Sequence, residues 1–172
     1  MGVNKMFAKR LVFAFCLLFL LLIIWGCPYD SSVPLGKIEN SVIDSNLIGS
    51  WKSSGTDVDT FEVMKVYPFN QHEYLILFLE KSEINVFRAF STAVNGHTFL
   101  NVNELSSEIT SAPNYIFVEY LLAGNELKFR FIEDKLPKEH YKDSRSFYNF
   151  VKRHLNNDEF FGEYETLVRI PD

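Results

Sequence analysis

The sequence predicts a mainly β domain: an antiparallel up-and-down barrel or strongly curved sheet with one late α-helix, preceded by an apolar leader. Three observations carry this. Between residues 47 and 170, seven or eight short segments of alternating or doubly apolar residues recur with turn residues between them, the layout of an all-β barrel or sandwich. Asn95-Gly96 separates two of these segments and supplies the two positive-φ residues of a tight type I′ hairpin. Helical spacing occurs once, at Phe147, Phe150, Val151 and Leu155, one apolar stripe at i, i+3, i+4 and i+8.

The chain opens with Lys5, Lys9 and Arg10 and no acid, then runs through Leu11–Trp25, 15 uncharged and mostly large apolar residues. That is the length of a signal-peptide core and short of the ~20 residues a spanning helix needs. Gly26 and Cys27 follow, then Pro28 and polar residues. A small residue before a cysteine at the end of an apolar run resembles the lipobox of bacterial lipoproteins. Ile24 at −3 and Gly26 at −1 suit the pattern, whereas Trp25 at −2 departs from the small residue usual there. The resemblance implies cleavage after Gly26, acylation of Cys27 and attachment to a lipid bilayer, with the chain beyond it outside the cytoplasm because the positive flank stays inside. More than one acyl chain makes such an anchor stable. Pro28 is not the aspartate that retains such proteins in the inner membrane, which favours the outer membrane, facing the periplasm. The alternative for the leader is an uncleaved signal anchor.

The expected organisation is therefore a signal peptide over 1–26, a lipidated N-terminus and flexible tether over 27–46, and a β domain over 47–172. The tether is expected from Ser31, Ser32, Pro34 and Gly36 among scattered apolar residues. Removing 1–26 takes away three basic and no acidic residues, leaving 14 basic against 22 acidic and a formal charge of −8. That balance argues against nucleic acid as a partner. Cys16 leaves with the leader and Cys27 is the lipidation candidate, so the domain has no thiol for a disulfide or a metal. Folding must rest on packing, which the 17 phenylalanines and 8 tyrosines of the full sequence suit.

Leu47–Ser53 opens the domain, and Thr60–Tyr67 reads as the second strand, ended by Pro68 and Asn70. In Glu73–Glu80, Leu75, Leu77 and Leu79 share one face and Tyr74, Ile76 and Phe78 the other, so both faces are expected to be covered. Val86–Val94 and Thr98–Val102 flank the Asn-Gly turn. Tyr115–Leu122 turns through Ala123-Gly124-Asn125 into Glu126–Ile132. There Leu127, Phe129 and Phe131 alternate with Glu126, Lys128 and Arg130, predicting an inward Phe129 and a wet Lys128. Asp143 or Ser144 can cap the helix and Asn156-Asn157 can end it. The helix is expected to close a barrel end or cover its wall, and Tyr164–Ile170 forms the last strand.

Gly49-Ser50-Trp51 in the first strand resembles the Gly-x-Trp signature of lipocalins. The resemblance implies a barrel whose closed base is plugged by Trp51 and entered at Gly49, with an arginine from a late strand over the indole; Arg169 is the candidate and Arg130 the second. The layout over 47–170 is also similar to small lipocalin-like lipoproteins of Gram-negative bacteria. They share a tether, an L-x-G-x-W opening, a hairpin like Phe87-Arg-Ala-Phe…Gly-His-Thr-Phe-Leu and a late helix like Phe147…Phe150-Val151.

Catalytic signals are sparse. His72, His97, His140 and His154 lack metal-ligand spacing, and no G-x-S-x-G elbow or phosphate loop occurs. Glu133-Asp134 reads as a solvated strand end. Glu119 is either a buried acid that meets a ligand or, more commonly for such a position, an outward charge. No catalytic residue, cofactor or metal site is expected. The expectation is a non-enzymatic envelope protein that binds a small apolar or amphipathic ligand, with Phe61, Tyr74, Phe78, Phe87, Phe117, Phe129 and Phe131 as candidate lining. The alternative is a platform for an envelope protein partner or an inhibitor of a hydrolase, using the Ser106–Pro113 loop and the Pro137–Lys142 segment. If Cys27 is the acylated residue, Cys27→Ser leaves an unprocessed precursor that takes up no labelled palmitate; continued incorporation in that variant rules the assignment out.

Overall fold

A computed structural model describes residues 27–54, 62–80, 83–105, 113–136 and 141–171. The expected leader and the Gly26 cleavage position lie outside the described residues. The elements in chain order are β1 (Asp30–Ser31), β2 (Gly49–Ser53), β3 (Glu62–Pro68), β4 (Tyr74–Glu80), β5 (Glu83–Val94), β6 (His97–Glu104), β7 (Tyr115–Ala123), β8 (Glu126–Phe131), α1 (Ser144–His154) and β9 (Glu165–Ile170). Strands β2 to β9 pair antiparallel in sequence order, and β9 returns to β2 through Trp51↔Arg169 and its neighbours. The sheet is a closed eight-stranded barrel with one helix late in the chain.

The turns at one end are tight because their residues accept positive φ. Asn95 and Gly96 stand at φ 51° and 90° between Val94 and His97, which pair across the loop. Gly124, at φ 61°, opens the two-residue loop between Ala123 and Glu126. We call this end the base. The connections between β2 and β3, β4 and β5, and β6 and β7 all lie at the opposite end, the mouth.

Strand alternation builds two cores on the two sides of the wall. The inner core includes Trp51, Val66, Tyr74, Ile76, Leu100 and Leu127. The outer core includes Phe99 and Phe117 from the wall, Phe147 and Val151 from α1, and Phe160 and Phe161 after it. Helix α1 therefore covers the wall and leaves the barrel ends free. The Asp143 carboxylate caps it, accepting from the Ser146 amide at 2.8 Å, and Lys152, Arg153 and His154 occupy the last turn, where cations suit the helix dipole.

Residues 27–46 differ from the expected free tether. Tyr29 and Leu35 are buried in the outer core, and β1 pairs with the mouth end of β7 through Asp30↔Ile116 and Ser31↔Tyr115. Asn101, fully buried on the outer face of β6, accepts from the Leu35 amide at 2.6 Å. The chain then passes beneath the base, where Ser41 Oγ accepts from the Ser91 amide at 2.9 Å. The apolar residues that looked scattered are the ones that pack against closed strands. The covering is incomplete elsewhere: Leu75, Leu77 and Leu79 on the outer face of β4 are half-buried, and Ile84 beside Leu79 is 64% exposed.

The base is sealed around Trp51, which has no exposed surface. Its indole Nε1 donates to the Leu47 carbonyl at 2.9 Å. The Arg169 guanidinium lies 4.2 Å from the ring centroid, in the range of a cation–π contact. Arg169 Nη1 also donates to the Ile48 carbonyl at 2.8 Å, and Nη2 to that of Asn46. Gly49 makes room for it: at φ 137° a Cβ would stand 2.5 Å from Nη1. Trp51→Ala should lower the unfolding free energy by about 3–5 kcal/mol, as for large core aromatics. Denaturant titration checks this, and a loss under about 1 kcal/mol would mean that the base does not depend on the indole.

Candidate functional site

Among the described residues, the barrel interior is filled at the base and less buried toward the mouth. Inward residues near the base are buried: Trp51, Val66, Tyr74, Tyr120 and Leu127. Toward the mouth, inward Met64, Phe78, Phe87, Phe129 and Phe131 are only partly buried, and a cavity of about 310 Å³ lies among them. That volume is at the small end of the ~300–1,000 Å³ typical of ligand sites. An eight-stranded barrel is wide enough either to fill itself or to hold one small ligand. The lining is apolar apart from the Tyr120 hydroxyl and Glu165.

Four of the candidate lining residues, Phe78, Phe87, Phe129 and Phe131, meet in this cavity. Phe61 lies outside the described residues. Tyr74 sits below the cavity, where its hydroxyl accepts from the Asp44 amide at 2.6 Å. Phe117 points the other way. It shares β7 with inward Ile116 and Val118 and so faces outward, with its ring 4.7 Å from that of Phe147. Strand parity alone leaves open which face is the inside when both are apolar. The aliphatic lining, Val66, Leu100 and Val102 among it, escaped a reading that searched for aromatic rings.

The phenols of the floor are neutral. Burial pushes the Tyr120 phenol far up, with Tyr74 and Asp44 adding to the shift. Burial likewise raises Tyr74, against the lowering effect of the Asp44 amide. Both phenols stay neutral across the physiological range, and the polar atoms beneath the cavity satisfy one another.

The outer wall holds a separate polar cluster. Glu119 points outward, yet it is 1% exposed. His97 Nδ1 donates to its Oε1, Arg130 Nε to Oε2 at 2.5 Å, and the Tyr164 hydroxyl to Oε2 at 3.0 Å. The Arg130 guanidinium also lies 3.8 Å from the Phe161 centroid and 4.4 Å from that of Tyr164. Arg130, the second candidate for the indole contact, is therefore committed here, and Arg169 takes the base. His97 stands diagonal to Glu119 across the β6–β7 pairing, as Phe99↔Glu119 requires. This arrangement is invisible in the sequence, where the partners are 11 to 45 residues apart. Both carboxylate oxygens accept from donors, Oε1 from one and Oε2 from two, so the cluster fastens the segment after α1 to the wall.

Among the described residues, no group of three or more His, Cys, Asp or Glu could hold a metal ion, and no helix is long and apolar enough to cross a membrane. Cys27 is a free, exposed cysteine. It lies beyond the mouth-side end of β8, where its carbonyl accepts from the Asp134 amide at 3.1 Å. Most of the Ser106–Pro113 loop and of the Pro137–Lys142 segment lies outside the described residues. Compared with known proteins, the chain matches no family model, no curated protein and no solved structure.

Burial alone would raise the Glu119 carboxyl, but the bonds from His97, Arg130 and Tyr164 outweigh it and hold the group below the usual glutamate value. A folded-state value below the unfolded one gives stability that is fully present above the unfolded pKa of about 4.3 and is lost as pH falls through the folded one. Glu119→Gln should cost about 1–3 kcal/mol at pH 7. The gap from the unsubstituted protein should shrink below about pH 4 in denaturant titrations. A gap independent of pH would contradict the charged assignment.

Proposed function

We propose that this chain is a non-enzymatic, membrane-anchored protein of the bacterial cell envelope whose lipocalin-like barrel holds a small apolar or amphipathic molecule. The observation that carries the reading is the apolar cavity of about 310 Å³, sealed below by Trp51 and Leu47 and graded toward exposure at the mouth. Such a chamber excludes water from one end and admits an apolar chain from the other. The Gly49, Trp51 and Arg169 arrangement supports the lipocalin-like reading of the barrel.

Acylation at Cys27 fits the position of that residue. It is exposed, and β1 begins three residues later, so a lipid there would hold the barrel close to the bilayer without a long spacer. The mouth-side end of β8 would be the part nearest the anchor. The outer membrane, with the domain in the periplasm, remains the favoured location.

A second reading, a platform for an envelope protein partner, draws on the half-exposed outer face of β4 with Ile84. A photo-crosslinker at Leu77 that captures nothing in the envelope would count against it.

The test of the first reading is native mass spectrometry of residues 27–172 bearing Cys27→Ser, purified without denaturation. This span retains β1 and Tyr29, which a shorter one would delete. We expect a reproducible extra mass that is lost on denaturation and is absent from Leu100→Trp, which fills the cavity. A bare polypeptide mass, together with no uptake of added amphiphiles, would overturn the carrier reading.

A further inference from the structure

We infer that the cavity selects amphiphiles with a cationic head, taking the apolar chain inside and holding the head at an acidic mouth. This deepens the ligand-binding reading above and rests on it. The argument starts from strand register. Inward residues on β5 are Phe87 and Ala89, which places Asn85 and Glu83 on the same face at the mouth. On β6, inward Leu100 and Val102 place Glu104 there, opposite Phe87. Glu165 on β9 lines the cavity itself, opposite Phe129.

Three of the eight barrel strands therefore carry, among the described side chains, a glutamate at the inward register nearest the mouth: Glu83, Glu104 and Glu165. They stand at the rim of a chamber whose lining is otherwise apolar apart from the Tyr120 hydroxyl. No lysine or arginine among the described residues occupies an inward position at that end. The cations on neighbouring elements are engaged or face away. Arg130 is bound to Glu119, Lys135 to Glu133 and Arg88 to Glu73. Lys52 shares its register row with Val63 and Leu79 on the outer face. Lys81 lies outside the described residues.

Charge complementarity then decides the ligand's chemistry. The floor cannot receive a head group, because the phenols there are buried and Tyr74 is bonded to Asp44. A head group must stay at the mouth, where a carboxylate or phosphate meets glutamates at close range and an ammonium meets their complement. The ligand class is a single-chain amine or another amphiphile with a positive head.

The test compares three probes of equal chain length, dodecylammonium, dodecanol and dodecanoate. Each is titrated calorimetrically below its micelle concentration into residues 27–172 bearing Cys27→Ser, the span that contains both cores and every strand. At an ionic strength of about 0.01 M, where charges act over ~30 Å, dodecylammonium should bind at least about tenfold tighter than dodecanoate, with dodecanol between them. The difference should contract as salt is raised to about 1 M, where the range falls to ~3 Å. Glu83→Gln, Glu104→Gln and Glu165→Gln combined should bring the ratio of ammonium to alcohol affinity toward unity. The salt series on the protein without these substitutions keeps the test independent of how well the triple variant folds. Dodecanoate binding as tightly as dodecylammonium overturns the charge selection and leaves the carrier reading standing. Failure of all three probes overturns both.

Discussion

The closure of the base around Trp51 is the constraint on which the rest of the molecule depends. A barrel of eight short strands has two open ends, and water entering from both would hydrate its interior. Here one end is shut by a fully buried indole bonded to the Leu47 carbonyl and capped by the Arg169 guanidinium, which binds the Ile48 carbonyl on the same turn. The guanidinium has its place only because residue 49 lacks a side chain. Because Trp51↔Arg169 is also one of the pairs that join β2 to β9, the plug sits on the seam where the sheet closes. Sealing the end and joining the first barrel strand to the last are one event.

Closure also explains the outer core. Strands β5 to β7 carry large apolar residues on both faces, Phe90, Phe99 and Phe117 among the outward ones, and an isolated barrel would expose these. Residues 29–36 and the segment from α1 to Phe161 cover it, with Tyr29 and Phe147 meeting over Phe117 at ring distances of 6.1 and 4.7 Å. Roughly 1.5–3 kcal/mol accompanies full burial of each large apolar side chain, so packing holds these two segments to the wall they cover. The Glu119 cluster adds direction: a carboxylate with three donors fixes where the chain after α1 must lie.

Much of this was legible in the residues. The alternation of Leu127, Phe129 and Phe131 with charged neighbours, the Asn95-Gly96 turn and the single helical stripe gave strands, a hairpin and a helix close to those observed. Gly49, Trp51 and Arg169 could be proposed together because a resemblance linked them. Phe117 was placed in the cavity wrongly, since a strand with apolar residues on both faces does not say which face turns inward; Tyr74 does face inward but lies at the floor, below the cavity. The tether reading failed because Tyr29 and Leu35 find partners only after distant strands close. Glu119 could not be read as buried, because the groups that satisfy it lie on β6, on β8 and just before β9.

A plugged base, a floor of neutral phenols and an apolar upper chamber with glutamates at its mouth describe a container, and that description turns on whether the chamber is empty space or packed rings. The measurement that tests this most directly is a crystal structure of residues 27–172 under xenon pressure, since a dry apolar cavity takes up xenon. The account predicts xenon among Phe78, Phe87, Phe129 and Phe131, above Tyr120. An interior in which those four rings meet and exclude the gas would contradict it.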